Sequence, residues 1–262
     1  MRETIPIDDP DDPRIADYRA IREKDLAGRA GKFVVEGEVA LRIATGRRRF
    51  ALASVLLSQK RAALAAAIPA DVPVHVAPQP VLEAIAGFPI HRGVLAVGLR
   101  GEQTDAEALL AGLPRRALVV VLIGLTNHDN VGGIFRNAAA FGADAVILDG
   151  ETCDPLYRKA IRVSAGGALL VPFARAGGPL ETLATLDAAR FTPLALSPGG
   201  KETLAGLARP ERTALVLGTE GPGLPDAVLA RARTLRIPMR GGFDSLNVAV
   251  TSGIALAALA EA

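Results

Sequence analysis

A chain of 262 residues, half of them hydrophobic and 22% charged, suits one large or two small domains with a real core and excludes a disordered protein. The formal net charge is only +2, and no apolar run approaches the roughly 18 residues of a membrane-crossing helix. The opening MRETIPIDDPDDP is acidic where a secretory leader would be basic, Cys153 is the single cysteine, and His75, His91 and His128 are scattered; the chain is expected in the cytoplasm, with no disulfide and no metal.

Residues 1–13 carry five acids against Arg2 alone and read as an acidic tail. Residues 14–61 hold twelve bases against five acids, an excess that draws polyanions and marks a nucleic-acid binder; a solvated arginine-rich face is the alternative. Aromatics are 4% of the chain, so any nucleic-acid contact is expected to be led by phosphates rather than by stacking. The first half, 14–104, reads as a small α/β unit: helical spacing over 17–27, a strand at 32–36, helix over 37–44, a strand at 54–57, an alanine-rich helix over 60–67, a strand at 74–76, helix over 80–86 and a strand at 94–97. A linker over 105–116 with Pro114 follows. From residue 117 to 262 strands and helices alternate: strands at 117–123, 145–148, 169–173, 192–196, 213–217 and 234–237, helices over 132–141, 155–164, 179–189, 225–232 and 248–260. Such alternation predicts a mostly parallel sheet flanked by helices.

Ligands of open parallel sheets bind in the loops that follow the carboxyl ends of strands. Three such loops are polar and rich in glycine: Thr126 to Asn137, Gly218 to Leu224, and Pro238 to Asn247. Singly, each has a structural explanation, with Asn130, Ser245 or Asn247 as helix caps and Gly218, Gly221 and Gly223 as turn formers. Together they predict one site where backbone approaches a ligand closely. The glycine order does not match the dinucleotide fingerprint and no phosphate-loop lysine is present, so the expected ligand resembles a nucleoside.

These residues resemble the SpoU (TrmH-type) RNA ribose 2′-O-methyltransferases of the SPOUT superfamily. Asn130-Val131-Gly132-Gly133-Ile134-Phe135-Arg136-Asn137-Ala138 matches the first motif, Gly218 to Leu224 the second, and Ile237-Pro238-Met239 with Ser245-Leu246-Asn247-Val248 the third. Tyr157 to Gly166 also resembles the family's segment, and residues 14–100 resemble more loosely a ribosomal-protein-like substrate-binding domain, with Gly37 and His91-Arg92-Gly93-Val94 as points of contact. The resemblance implies an α/β sheet with a C-terminal deep trefoil knot in the catalytic domain, 117–262. It implies a homodimer formed through that domain, S-adenosyl-L-methionine as methyl donor without a metal, and structured RNA (rRNA or tRNA) as partner. Gly218, Gly221, Gly223, Ile237, Met239 and Leu246 would then hold the cofactor. Asn130, Arg136, Glu220, Ser245 and Asn247 would serve catalysis, Asn130 and Glu220 by orienting Arg136 and the ribose.

Two departures from the family pattern bear on substrate choice: Asn127-His128-Asp129 where Asp-Pro is common, and Asn137 where Thr is common. A non-catalytic RNA-binding module with the same knot is the alternative function; a Rossmann-type NAD enzyme is disfavoured by the missing Gly-x-Gly-x-x-Gly. Two consequences follow from the sequence. A branched side chain at Gly218 would block the cofactor with little harm to the fold, and a cut near residue 105 would leave a soluble catalytic dimer.

Overall fold

In the computed structural model, which describes residues 2–19, 31–86, 92–241 and 245–260, the chain divides into two units: Met1–Glu102 with Leu156–Leu170, and Gln103–Pro155 with Val171–Ala262. The first unit holds five strands, β1 (Ile5–Pro6), β2 (Lys32–Glu36), β3 (Ala51–Ser58), β4 (Val74–Ala77) and β5 (Val94–Leu99), in the order β1-β4-β3-β5-β2. β5 runs antiparallel to both neighbours, while β1, β3 and β4 are parallel. The acidic stretch at the start is not a tail. Ile5 pairs with His75, Ile7 is wholly buried, and the Arg2 guanidinium donates to the carbonyls of Ile68, Pro69 and Val72. Its acids hid Ile7, which with Ile15 and Tyr18 just beyond completes the core of Val34, Leu56, Leu82 and Leu95. Tyr18 shares a 2.8 Å hydrogen bond with Ser54, and burial pushes its phenol well above the ordinary value.

Some expected helices are shorter or tighter than their spacing suggested. Pro13–Tyr18 is 3-10 helix, and the rest of the helix expected over 17–27 lies largely outside the described residues, as does His91. Gln59–Ala67 is also 3-10: only Ala65 is buried, so no apolar stripe is present to hold an α-helix. The helices Glu38–Arg47 and Gln79–Ala86 form as read.

Residues 156–170 contribute the helices Arg158–Val163 and Gly167–Leu170 to this unit. Arg158 pairs with Glu36, and a Cβ on Gly166 would lie 2.8 Å from Ile43 Cδ1 and 3.2 Å from Ala40 Cα, so the segment packs on the Glu38–Arg47 helix. The strand expected at 169–173 is corrected: Leu169 and Leu170 are helical. Pro172, which has no N–H to give a ladder, precedes a strand that begins only at Phe173.

The second unit is built on β6 (Ala117–Leu122), apolar and buried at all six positions, as a strand covered on both faces must be. With β7 (Ala145–Leu148), β8 (Phe173–Arg175), β9 (Thr192–Leu196), β10 (Glu202–Thr203), β11 (Arg212–Leu217) and β12 (Arg233–Arg236) it forms a parallel sheet ordered β10-β12-β9-β11-β6-β7-β8. The chain thus grows one way from β6, then crosses to β9 and returns to insert β11 beside β6. Such a reversal places a crevice at the carboxyl ends of β9, β11 and β12. The helix expected over 225–232 is limited to Asp226–Leu229.

The helices His128–Ala140 and Val248–Ala260 pack at close range: a Cβ on Gly133 would lie 2.7 Å from the Ala249 Cβ. Asn137 Nδ2 donates to Ala249 O at 2.7 Å and to Ser252 Oγ at 2.9 Å, and its side chain lies over Gly253. The departure at Asn137 therefore has a structural use, tying these two helices together. No helix among the described residues is long and apolar enough to cross a membrane.

Candidate functional site

The three glycine-rich loops meet. In the first, Asn127 accepts from Asp129 N at 2.8 Å and caps the helix that carries Asn130, which is buried. Before it, Gly124 adopts φ +68 and donates at 2.9 Å to Asp149, whose other oxygen accepts from both the amide and hydroxyl of Thr152. In the second, Thr219 Oγ1 donates to Gly223 O at 3.2 Å and closes a tight loop. Gly218 sits against that turn: a Cβ there would lie 2.6 Å from Gly223 C and 2.7 Å from Leu224 N. Gly218 is thus required by the loop itself, which corrects the expectation that a branched side chain would spare the fold.

In the third loop Asn247 uses its whole amide. Its Oδ1 accepts from Ala249 N at 2.9 Å and Val250 N at 3.3 Å, capping the last helix; its Nδ2 donates to Asn130 Oδ1 at 2.9 Å and to Glu220 Oε1 at 2.6 Å. One side chain thereby ties all three loops. The expectation that Asn130 and Glu220 orient Arg136 is corrected: both bond to Asn247. Arg136 is exposed on its helix, six residues beyond Asn130 and about 9 Å along the axis at 1.5 Å per residue. Six steps of 100° also turn it onto another face.

A cavity of about 470 Å³ opens at these strand ends. Every expected cofactor residue (Gly218, Gly221, Gly223, Ile237, Met239 and Leu246) lines it, together with Glu220, Ser245 and Asn247. Asn130 stands one hydrogen bond behind the wall, and Arg136 does not line it. Glu220 is the one charged side chain on the described wall. Sequence reasoning missed a fourth loop: Ser197 and Pro198, after β9, line the cavity too. The signal was there in Ser197-Pro198-Gly199-Gly200. A Cβ on Gly200 would lie 2.3 Å from the Leu235 carbonyl carbon, so the turn after β9 lies against β12 only because residue 200 has no side chain.

Other chemistry-bearing groups lie elsewhere. Among the described residues no cluster of three or more His, Cys, Asp or Glu could hold a metal ion. Burial, with the neighbouring Asp154, pushes the Cys153 thiol up to about 11, so it is a poor nucleophile near neutral pH. A second cavity of about 440 Å³ contains none of the expected residues. At its edge Arg212 lies over the Phe191 ring and donates to the carbonyls of Leu110 and Pro114, a structural brace.

Residues 117–257 match the SpoU rRNA Methylase family model. An uncharacterized tRNA/rRNA methyltransferase of Mycobacterium tuberculosis is 38% identical over 257 residues, which span 94% of this chain and 88% of that protein. A 23S rRNA (guanosine-2′-O-)-methyltransferase of Acinetobacter baylyi is 33% identical over 195 residues, 72% of this chain and 78% of that one. In fold, the chain is similar to an AdoMet-bound rRNA methyltransferase from Sinorhizobium meliloti, with a TM-score of 0.83, 23% identity and 98% of each chain covered.

Proposed function

Because the chain belongs to the SpoU rRNA methylase family, we propose that it transfers a methyl group from S-adenosyl-L-methionine to a ribose 2′-hydroxyl of structured RNA, rRNA or tRNA, in the cytoplasm and as a homodimer. The observation that carries this reading is the cavity at the ends of β9, β11 and β12, walled by the second and third motif loops and fastened by Asn247 to Asn130 of the first.

The cavity fits the cofactor. Its volume lies in the range of about 300–1,000 Å³ usual for small-molecule sites, and its glycine-lined wall leaves backbone N–H and C=O groups within reach of an adenine edge. The one charge on its described wall, Glu220, has the sign that suits a cation. When bound, S-adenosylmethionine supplies an electrophilic methyl on a sulfonium.

Gly218, Ile237 and Leu246 would grip the adenosine through backbone, with Gly221, Gly223 and Met239 shaping the pocket. Asn247 spends both amide hydrogens and its oxygen on protein partners, so it acts as a brace that fixes Glu220 and Asn130, while Ser245 stands beside it to meet the ribose. The 2′-hydroxyl is a weak nucleophile and needs positioning and charge stabilisation as its proton leaves. Arg136 is exposed, and a guanidinium suits a clamp on a neighbouring phosphate better than a base.

Val250 and Ile254, one turn apart on the last helix, are apolar yet 54 and 41% exposed, which supports a dimer through this unit. The knot is taken from the family resemblance, and the insertion of β11 between β6 and β9 agrees with it. The first unit would serve as the RNA-binding domain.

The test is direct. The purified protein with isotopically labelled S-adenosylmethionine and unmodified rRNA and tRNA should yield 2′-O-methylated nucleosides on digestion and mass spectrometry. Label on a base would overturn the ribose assignment, and the absence of cofactor binding by calorimetry would favour the non-catalytic RNA-binding module.

A further inference from the structure

Part of the positive excess of residues 14–61 lies at the two ends of β3, whose eight residues separate them by about 23 Å at roughly 3.3 Å per residue. At the leading end two of the three arginines are occupied: Arg48 pairs with Asp71 at 2.6 Å, and Arg49 lies over Phe50 with its guanidinium pushed down to about 10 by burial. The trailing end differs. There Glu36 closes β2, Ser58 closes β3 and Gly93 leads into β5, and the strand registers bring all three to one edge of the sheet.

Four guanidiniums gather at that edge around two carboxylates. Arg158 pairs with Glu36, while Arg42 and Arg61 share Glu38 at 2.5 and 3.5 Å. Arg92 lies across Gly37, where a Cβ would stand 3.2 Å from its Nη1, and the Arg61 stem runs beside Gly93. Each carboxylate holds its arginines in place against mutual repulsion, yet two positive charges are left over. The Arg42 and Arg61 side chains are 72 and 49% exposed, and one ion pair to Glu38 leaves each with N–H groups to spare.

We propose that this cluster, Arg42, Arg61 and Arg92 braced by Glu36, Glu38 and Arg158, is the site where the first unit docks the phosphate backbone of the RNA; it deepens the RNA-methylation reading and rests on it. Pre-ordered forks match phosphate oxygens two at a time, which a diffuse field of arginines does not. Arg158 comes from the segment 156–170, so the surface is completed by residues far from the N-terminal half in sequence.

Filter binding of protein-free rRNA and tRNA across 50–200 mM KCl tests this. Arg61→Gln/Arg92→Gln should lower affinity at least about tenfold and flatten the slope of log affinity against log salt by about 1.5, near 0.7–0.9 per lost phosphate contact. Arg47→Gln/Arg48→Asn, which removes the same charge at the other end of β3, should stay within about twofold of the parent. Arg61→Lys/Arg92→Lys keeps the charge without the forks, and should hold the slope while losing part of the affinity. Thermal melting and far-UV circular dichroism check the fold of each; if the glutamine pair fails them, the lysine pair decides, parent-level affinity overturning the proposal. Equal losses at both ends of β3, or none at the cluster, also overturn it. A parent that binds RNA through the cluster but transfers no methyl refutes the methylation reading alone. A parent that methylates, with the slope intact in the glutamine pair, refutes the cluster alone.

Discussion

Asn247 and Asn130, 117 positions apart in the chain, share a hydrogen bond of 2.9 Å in which the Asn247 amide nitrogen donates and the Asn130 amide oxygen accepts. The same nitrogen reaches Glu220 at 2.6 Å, and the Asn247 oxygen caps the last helix. Asn247→Asp separates these duties. The carboxylate still accepts from the helix N–H groups and is favoured at a helix N-terminus, so the cap is kept and any fall in melting temperature reports the lost Asn130 bond and the Glu220 repulsion alone. It cannot donate to Asn130, and it sets a second negative charge against Glu220. Turnover should fall at least about tenfold, and a variant with parental turnover would show that the brace is dispensable. Asn247→Ala, which also loses the cap, should cost about 1 kcal/mol of stability in addition, read by denaturant titration.

Gly218 and Gly221 lie in one loop but are glycine for different reasons. At Gly218 any Cβ meets backbone of its own turn at 2.6 Å; at Gly221 there is nothing within 4 Å, only a φ of +87. Gly218→Ala should therefore lower the melting temperature and abolish cofactor binding together. Gly221→Ala should cost about 1 kcal/mol of backbone strain and keep most of the binding. Calorimetry that finds the two alanine variants equally competent would remove the steric argument at Gly218.

Most of the second unit was legible because its signals are local. A wholly apolar strand such as β6, or Gly218 to Leu224 after a strand end, declares itself in a few residues. What stayed hidden depends on distant partners. Ile7 has no apolar period around it and becomes core only when β1 meets β4. Ser197 and Pro198 read as an ordinary turn until β12 closes on Gly200. Residues 156–170 match the methyltransferase pattern in sequence yet pack on Glu36, Ala40 and Ile43. A cut near residue 105 would remove those partners and leave the buried Ala160, Ile161 and Leu169 uncovered, so the soluble truncated dimer expected from sequence is not what this packing supports.

His75 makes stability depend on pH. Its side chain is buried on β4 with Nδ1 unpartnered, and burial, then Arg14, hold the imidazole below its ordinary value against the opposing pull of Asp12. In the unfolded chain it titrates near about 6.5. The unfolded state thus binds more protons in mild acid. The stability this group contributes is present above that pH and lost as pH falls through it toward the lowered folded value. The melting temperature of the parent should drop more steeply between pH 7.5 and 5.5 than that of His75→Leu, and parallel curves would show that His75 is not the source.

Arg136 stands exposed, off the cavity wall, and the groups expected to orient it bond to Asn247. A base that removes a ribose proton must be neutral at some stage, which a guanidinium resists; a clamp needs only its charge and its fork. Lysine keeps the charge but loses the planar two-pronged geometry, and its amine can become neutral at alkaline pH. Under the clamp reading, Arg136→Lys should retain weak turnover. Arg136→Ala should bind S-adenosylmethionine as the parent does while losing methyl transfer, because the charge acts mainly as the alkoxide forms. Under the base reading, the lysine variant would instead gain activity as its amine deprotonates. Turnover of Arg136→Lys measured from neutral to alkaline pH decides between them: a rise of about tenfold per pH unit, beyond any rise in the parent, would assign Arg136 as the base and end the clamp.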